Sequence, residues 1–244
     1  MLIAILGDIH ANIDALTATL DVLDRMSVDK IICAGDVVGY CAAPGECIDL
    51  LRNRGIQSVC GNHDQCTFNL DHHDNSNVRE EASTVFSWTH DRLRPDQLEW
   101  LGSLPKVIRT DNFMVIHSSC QPHPNWTYVT SPSRAALHFL FQKTDLCFNA
   151  HSHVPLLAMH RPGQPLTMKY FHNLILPRNV RVMIGVGAVG QPRDDDPRAA
   201  AILYNTTANS ATLLRIKYDV DAAQKRILDA GLPSSLASRL ALGK

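Results

Sequence analysis

The 244-residue chain has no apolar run near the roughly 18 residues that a membrane-spanning helix needs, no excess of basic residues and no CxxC pair. It opens directly on the strand-like Leu2–Leu6, without a charged leader or cleavage site. The expectation is a soluble, cytoplasmic protein with no membrane partner. Lys and Arg number 23 against 24 Asp and Glu, a formal net charge of -1. That balance excludes a broad basic surface for an extended nucleic-acid track, while local basic loops stay allowed. The seven cysteines are odd in number and scattered, several of them (Cys33, Cys60, Cys147) within apolar runs. They read as buried free thiols rather than as disulfides or a zinc knot. No internal repeat, low-complexity tract or linker interrupts the chain.

What is present is ordinary globular composition, 45% hydrophobic and 19% charged, over a length that suits one domain spanning 1–244. Short apolar runs ending on glycine alternate with helical spacing: Leu2–Leu6, then Ile13, Leu16, Leu20, Leu23 and Met26; Lys30–Ala34, then a helix with Pro44 near its start and Gly55 beyond its end. With Gln57–Cys60 as a third strand, this order implies right-handed crossovers and a largely parallel sheet. From about 65 to 105 the pattern turns helical, with Val78, Ala82, Val85, Phe86 and Leu93 on one face and a further helix begun by Pro95, and reads as an insertion between strands. Phe113–Ile116, Leu146–Asn149, Leu156–His160, Thr167–Phe171, Arg181–Gly185, Ala200–Tyr204 and Thr212–Tyr218 read as later strands, and Val220–Ala230 and Ser234–Leu242 as terminal helices.

Twelve histidines are the unusual feature, and five strand candidates end on metal-ligand residue types: Gly7-Asp8-Ile9-His10, Gly35-Asp36, Gly61-Asn62-His63-Asp64, His117 and His151-Ser152-His153. Loops after the carboxyl ends of strands in an α/β sheet converge, so residues distant in sequence meet there. Asp8 and His10 are two apart, as are His151 and His153, so an extended segment directs each pair to one side. Each element alone is commonplace; their joint occurrence points to a metal centre. His72, His73, His90, His123, His138, His160 and His172 are read as structural.

In this order, D-x-H, GD, GNHD, H and H-x-H closely resemble the calcineurin-like metallophosphoesterase superfamily. The longer signatures GDIHAN, GDVVGY and GAVGQPRDDDPRA look like its compact prokaryotic-type group and extend the resemblance to about residue 204. The family implies two mixed β-sheets flanked by helices, a four-layer αββα sandwich with a dimetal centre at strand carboxyl ends. By position, Asp8, His10, Asp36 and His153 would hold one metal, and Asp36, Asn62, His117 and His151 the other. His63 would be the acid at the leaving group, with Asp64 orienting its ring. Two divalent ions against two ligand carboxylates leave a cationic centre that attracts phosphate. Imidazole and carboxylate without thiolate suit Mn, Fe, Ni or Zn, which activate a water nucleophile and clamp the phosphoryl oxygens.

The departures refine the expectation. Protein Ser/Thr phosphatases and symmetrical diadenosine tetraphosphatases share GDxVDRG, whose Arg contacts phosphate; this chain has Gly35-Asp36-Val37-Val38-Gly39-Tyr40. Purple acid phosphatases place a metal-binding Tyr where this chain has Gly39. Ala150 stands where the family commonly has Gly, and Asp194-Asp195-Asp196 where the group usually reads D-G-D. Arg193 offers a planar cation to a phosphate oxygen, or else pairs, with Arg198, to the adjacent aspartates. Asn12 caps the first helix or faces phosphate at its N-terminus; Arg193 and Asn12 are the candidate substrate contacts. Trp126 and Tyr128 are read as anchors of their loop rather than as a nucleobase platform. The expected function is a dimetal phosphodiesterase or dinucleoside polyphosphate hydrolase acting on a small phosphorylated substrate. A phosphomonoesterase of the Ser/Thr phosphatase type, and a non-catalytic scaffold like the retromer subunit of this fold, are the alternatives.

Overall fold

Alternation along the first strand, β1 (Leu2–Leu6), sets the architecture: Ile3 and Ile5 enter one apolar cluster while Ala4 and Leu6 enter another, because successive side chains of a strand point to opposite faces. A strand buried on both faces requires a layer on each side. In the computed structural model, which describes residues 1–70, 80–122 and 126–244, those layers are a second sheet and a set of helices. The chain continues through α1 (Ile13–Arg25), β2 (Lys30–Cys33), α2 (Pro44–Asn53), β3 (Gln57–Ser58), α3 (Asn62–Phe68), α4 (Glu80–His90), α5 (Pro95–Ser103), β4 (Val107–Arg109) and β5 (Phe113–Ile116). There follow α6 (Pro132–Phe141), β6 (Leu146–Asn149), β7 (Leu157–His160), β8 (Thr167–Lys169), β9 (Asn173–Ile175), β10 (Arg181–Gly185), β11 (Ala199–Asn205), β12 (Ser210–Ile216), α7 (Val220–Asp229) and α8 (Ser234–Leu242).

The first sheet runs β3-β2-β1-β11-β12-β9 and the second β4-β5-β6-β10-β7-β8. Both are mixed: β1, β2 and β3 are parallel to one another, as are β5, β6 and β10, and the remaining pairings are antiparallel. Ile3, Ile5, Ile32, Phe148, Ile184 and Ile202 fill the space between the sheets. On the outer face of the first sheet, Leu16, Leu20 and Leu23 of α1 and Ile48 and Leu51 of α2 pack on Ala4 and Leu6; each such buried leucine contributes about 1.5–3 kcal/mol. On the outer face of the second, Ala135 and Phe139 of α6 meet Ala158 and Met183. This is the αββα sandwich expected.

Most expected elements form, with shifts at their ends. The strand expected over Gln57–Cys60 stops at Ser58, and the GNHD motif opens α3 instead of sitting in a loop. Val85, Phe86 and Leu93 are buried as their spacing requires; Val78 and the side chain of Ala82 lie outside the described residues, as do His72, His73 and His123. Helix α6 and the short strands β4 and β9 were not anticipated. The methyl of Ala150 is accommodated because it faces Gly7, where an added Cβ would lie 2.7 Å from it.

The aspartate standing in the usual glycine position of D-G-D takes the glycine conformation. Asp195 has φ of 61°, in the left-handed region that costs an L-residue roughly 1–2 kcal/mol. Among the described residues its carboxylate pairs only with the exposed Lys244, at 3.8 Å, a pair worth little. Glycine there relieves the strain but loosens the unfolded chain by about 0.4–1 kcal/mol. Asp195→Gly should therefore raise stability by about 0.5–1 kcal/mol, or about 1–4 °C in Tm; a lower Tm in thermal unfolding would contradict the assignment of strain.

Candidate dimetal active site

The carboxyl ends of the parallel strands of both sheets meet at one place. Asp8 and His10 follow β1, Asp36 follows β2, Asn62 and His63 begin α3 just after β3, His117 follows β5, and His151 and His153 follow β6. Main-chain bonds continue the pairing past the strand ends, with Asp8 N donating to Gly35 O at 3.0 Å, His10 N to Asp36 O at 2.9 Å and Ala150 N to His117 O at 2.8 Å. To turn their side chains into the common crevice, Asp8, His10, Asp36, His151 and His153 all adopt positive φ, between 50° and 68°. Strain of about 1–3 kcal/mol per residue is characteristic of functional sites. Gly61 permits a close approach: a Cβ there would lie 2.0 Å from Asp36 Oδ1.

Each imidazole is held by one nitrogen and presents the other. His10 Nδ1 donates to Val38 O at 3.1 Å, His153 Nδ1 to Gln191 O at 2.5 Å, His117 Nδ1 to Ala34 O at 2.8 Å and His151 Nε2 to Trp126 O at 3.1 Å. A carbonyl can only accept, so the opposite nitrogen of each neutral ring carries a lone pair. Those lone pairs converge. His10 Nε2 is 3.1 Å from His153 Nε2, and His117 Nε2 is 3.2 Å from His151 Nδ1, 3.1 Å from Asn62 Oδ1 and 3.3 Å from Asp36 Oδ2. Asp8 Oδ2 and Asp36 Oδ2 are buried with no hydrogen-bond partner among the described residues. Asp8, His10 and His153 form one triad and Asp36, His117 and His151 another, with ligand atoms within 4.8 Å; His10, Asp36 and His63 form a third that overlaps both.

Acceptors crowded this closely, in a buried pocket and with so few donors, are satisfied by cations, and the main-chain carbonyl behind each ring is the arrangement that orients histidine ligands. The electrostatics agree. Burial holds His10 and His153 well below the ordinary imidazole range, and burial with the neighbouring His117 pushes His151 down to about 3, so these rings stay in the neutral, ligating form. His117 is the exception: burial works against a cation there, yet Asp36 pushes that ring up to about 9, so it carries a proton that a bound ion would have to displace before its Nε2 could ligate. Burial raises Asp8 to about 7, with Asp36 adding to it; on Asp36 burial is outweighed by His117, His63 and His10, which hold it well below the carboxylate range. The residues fit two divalent transition ions.

A model of the calcineurin-like phosphoesterase superfamily domain matches residues 1–208. The chain belongs to that superfamily. It is 32% identical over 247 residues to an uncharacterised protein of Methanocaldococcus jannaschii, covering all of this chain and 98% of that one. The crystal structure of a metallophosphoesterase from Sphaerobacter thermophilus superposes with a TM-score of 0.85 at 37% identity, covering both chains completely. A hypothetical protein from Pyrococcus horikoshii OT3 shares the fold with a TM-score of 0.80 at 18% identity, covering 100% of this chain and 98% of that chain. With its overlapping triads, this calcineurin-like phosphoesterase is a metal-dependent hydrolase of phosphoric esters. No described helix is long and apolar enough to cross a membrane.

Around the triads, the phosphoesterase departs from sequence expectation in three places. Asp64 does not orient the His63 ring: its Oδ1 accepts from Val37 N and Val38 N at 2.8 and 3.2 Å, and its Oδ2 from Asp36 N and Gly61 N, both at 2.9 Å. It ties the loop after β2 to the start of α3. His63 Nδ1 is buried without a hydrogen-bond partner among the described residues, lying against Gly39, where a Cβ would be 2.4 Å away. Its ring is enclosed by Tyr40, His10 and Phe86 at centroid distances of 4.4, 4.7 and 4.9 Å, and burial pushes it down to about 4. Asn12, a candidate substrate contact, spends its side chain on the fold: Oδ1 accepts from Ala15 N at 3.1 Å, capping α1, and Nδ2 donates to Gly190 O at 2.9 Å, in a residue only 1% exposed. Tyr128 does not anchor its loop to the core; it stacks on His151 at 4.1 Å and is half exposed, while Trp126 sets its edge against His117 at 5.5 Å.

Arg193 makes no ion pair among the described residues. Asp194 pairs with Arg215, Asp196 with Arg198 and Arg215, and Asp195 with Lys244, whereas Arg193 donates to Tyr40 Oη at 3.3 Å and Gln191 Oε1 at 3.1 Å. The carbonyls behind the imidazoles were invisible in the sequence, since main-chain acceptors carry no residue signature. Asp64→Asn puts an amide N–H against donors that need an acceptor. It should cost about 3 kcal/mol, read by denaturant unfolding; an unchanged midpoint would return Asp64 to the role of orienting His63.

Proposed function

We propose that this hydrolase cleaves phosphodiesters or dinucleoside polyphosphates, with Asp8, His10, Asp36 and His153 holding one ion and Asp36, Asn62, His117 and His151 the other. When bound, Mn, Fe, Ni or Zn supplies an activated water and neutralises charge on the phosphoryl oxygens. The chain's own residues then have separate tasks. Asp36 shares its carboxylate between the two ligand sets. His63 protonates the leaving oxygen; its low proton affinity rises when an anionic phosphate is brought beside it.

The observation that carries the substrate class is Arg193. Its guanidinium, free of carboxylates among the described residues, lies close enough to Asp8, His10 and His153 to shift all three electrostatically, and so suits a second phosphate beyond the reacting one. Phe86 covers His63 from α4, which favours a small substrate over a folded phosphoprotein. The test is a panel of bis-p-nitrophenyl phosphate, p-nitrophenyl phosphate, diadenosine tetraphosphate and a phosphopeptide with Mn. The highest kcat/KM is expected on a diester or the tetraphosphate; a maximum on the phosphopeptide would overturn the reading. His63→Ala should lower kcat by roughly 10²–10⁴-fold for an alkoxide leaving group and by less for p-nitrophenolate. An equal loss on both, at unchanged metal content, would remove His63 from the acid role.

A further inference from the structure

A second cluster of chemistry-bearing side chains lies under α6, outside the dimetal site. Phe113, Val115, Leu146 and Phe148 point between the sheets, so Met114 and Cys147, which are register partners on β5 and β6, face the opposite side, toward α6. Cys120, in the segment after β5, returns over them. Its Sγ lies 4.0 Å from Met114 Sδ and 3.6 Å from His138 Nε2, and the donor atoms of Cys120, His138 and Cys147 are all within 4.8 Å of one another.

Two thiols and an imidazole suggest a soft metal, but the nitrogens of His138 are already spent. Cys120 N donates to Nδ1 at 3.2 Å, which leaves the ring proton on Nε2. Gln142 enforces that tautomer: its Nε2 donates to the carbonyls of Thr144, Asp145 and Val182 at 2.8, 3.2 and 3.2 Å, so its Oε1 is the acceptor that His138 Nε2 meets at 3.0 Å. No lone pair remains for an ion without breaking this network. The imidazole N–H instead stands beside the Cys120 sulfur.

We propose that Cys120 and Cys147 are a peroxide-reactive thiol pair that closes to a disulfide. The two sulfurs differ in the way such chemistry needs. Cys120 is only partly buried, and the Cys147 thiol, His138 and the charge of Arg109 hold it below the ordinary thiol range, which makes it the nucleophile. Cys147 is fully buried, and burial keeps it protonated. The Cys120 thiolate attacks one oxygen of a hydroperoxide; the O–O bond breaks, hydroxide or alkoxide leaves, and Cys120 becomes a sulfenic acid. Cys147 Sγ then attacks Cys120 Sγ; the S–O bond breaks, and the hydroxyl departs with the Cys147 proton as water. Two electrons pass from the sulfurs to the peroxide. The other five cysteines, Cys33, Cys41, Cys47, Cys60 and Cys66, are all raised above the ordinary thiol range by burial, so the pair is oxidised first.

The full-length, Mn-loaded protein is treated with a slight molar excess of hydrogen peroxide, its remaining thiols are blocked with N-ethylmaleimide, and it is digested without reductant for mass spectrometry. Two of the seven free thiols should be lost, in a single linked peptide joining Cys120 to Cys147, and dithiothreitol should restore both. Cys147→Ser should abolish the link and leave Cys120 as a sulfenic acid that dimedone traps. Persistence of all seven thiols, or earlier oxidation of another cysteine, would overturn the proposal. So would zinc or copper that the wild type retains above its Mn content and that Cys147→Ser loses, since the cluster would then be a metal site. The wild-type mapping needs no variant to fold.

Discussion

Lone pairs that repel one another are held together in this protein by the main chain behind them. His10 and His153 face each other through ring nitrogens 3.1 Å apart, and His117 meets His151 and Asp36 at 3.2 and 3.3 Å. Each ring is pinned by a different carbonyl, from three segments: Ala34 and Val38 after β2, Trp126 before α6 and Gln191 after β10. None of these segments can shift without releasing a ligand. Positive φ at five ligand positions is a further cost, of order 1–3 kcal/mol at each. Asp64 opposes that cost by gathering four main-chain donors onto one buried carboxylate.

The two-sheet architecture follows from the same need. Asp8, His10, Asp36 and Asn62 extend from the first sheet, and His117, His151 and His153 from the second. The second ligand set proposed above would therefore draw Asp36 and Asn62 from one sheet and His117 and His151 from the other. Register between the sheets rests on the apolar layer of Ile5, Ile32, Phe148 and Ile184, so core packing and metal geometry are one mechanical problem. The loop after β10 closes the ring of contacts, with Val189 N and Gly190 N donating to Gly7 O and Asp8 O, both at 2.9 Å, which carries Gln191 and Arg193 to the crevice.

The candidate ligands were legible as a set, because five strand candidates end on carboxylate, amide or imidazole in one order, although each motif alone is commonplace. Partners that are main-chain atoms had no such signature, and neither did the fourfold use of Asp64. The family resemblance implied that Asp64 orients His63, whereas the helix start of α3 turns its carboxylate to main-chain donors. Helix α6 was missed because its buried face includes His138, and Gln142 just beyond it, polar residues that interrupt the apolar period yet satisfy each other. Strand β9 is a three-residue sheet edge with Ile175 80% exposed, too short for alternation to register. The thiols read correctly as free and mostly buried, but the proximity of Cys120 to Cys147 comes only from the parallel pairing of β5 and β6.

The dinuclear reading is tested most directly by elemental analysis of the wild type and of Asp36→Asn, both prepared with excess Mn or Zn and freed of unbound metal. Because Asp36 Oδ2 lies 3.3 Å from His117 Nε2 and 3.7 Å from His10 Nε2, one carboxylate serves both ligand sets. The wild type should then bind two ions per chain, and the substitution should weaken both. A wild type that never exceeds one ion, or an Asp36→Asn variant that keeps two at full affinity, would contradict it.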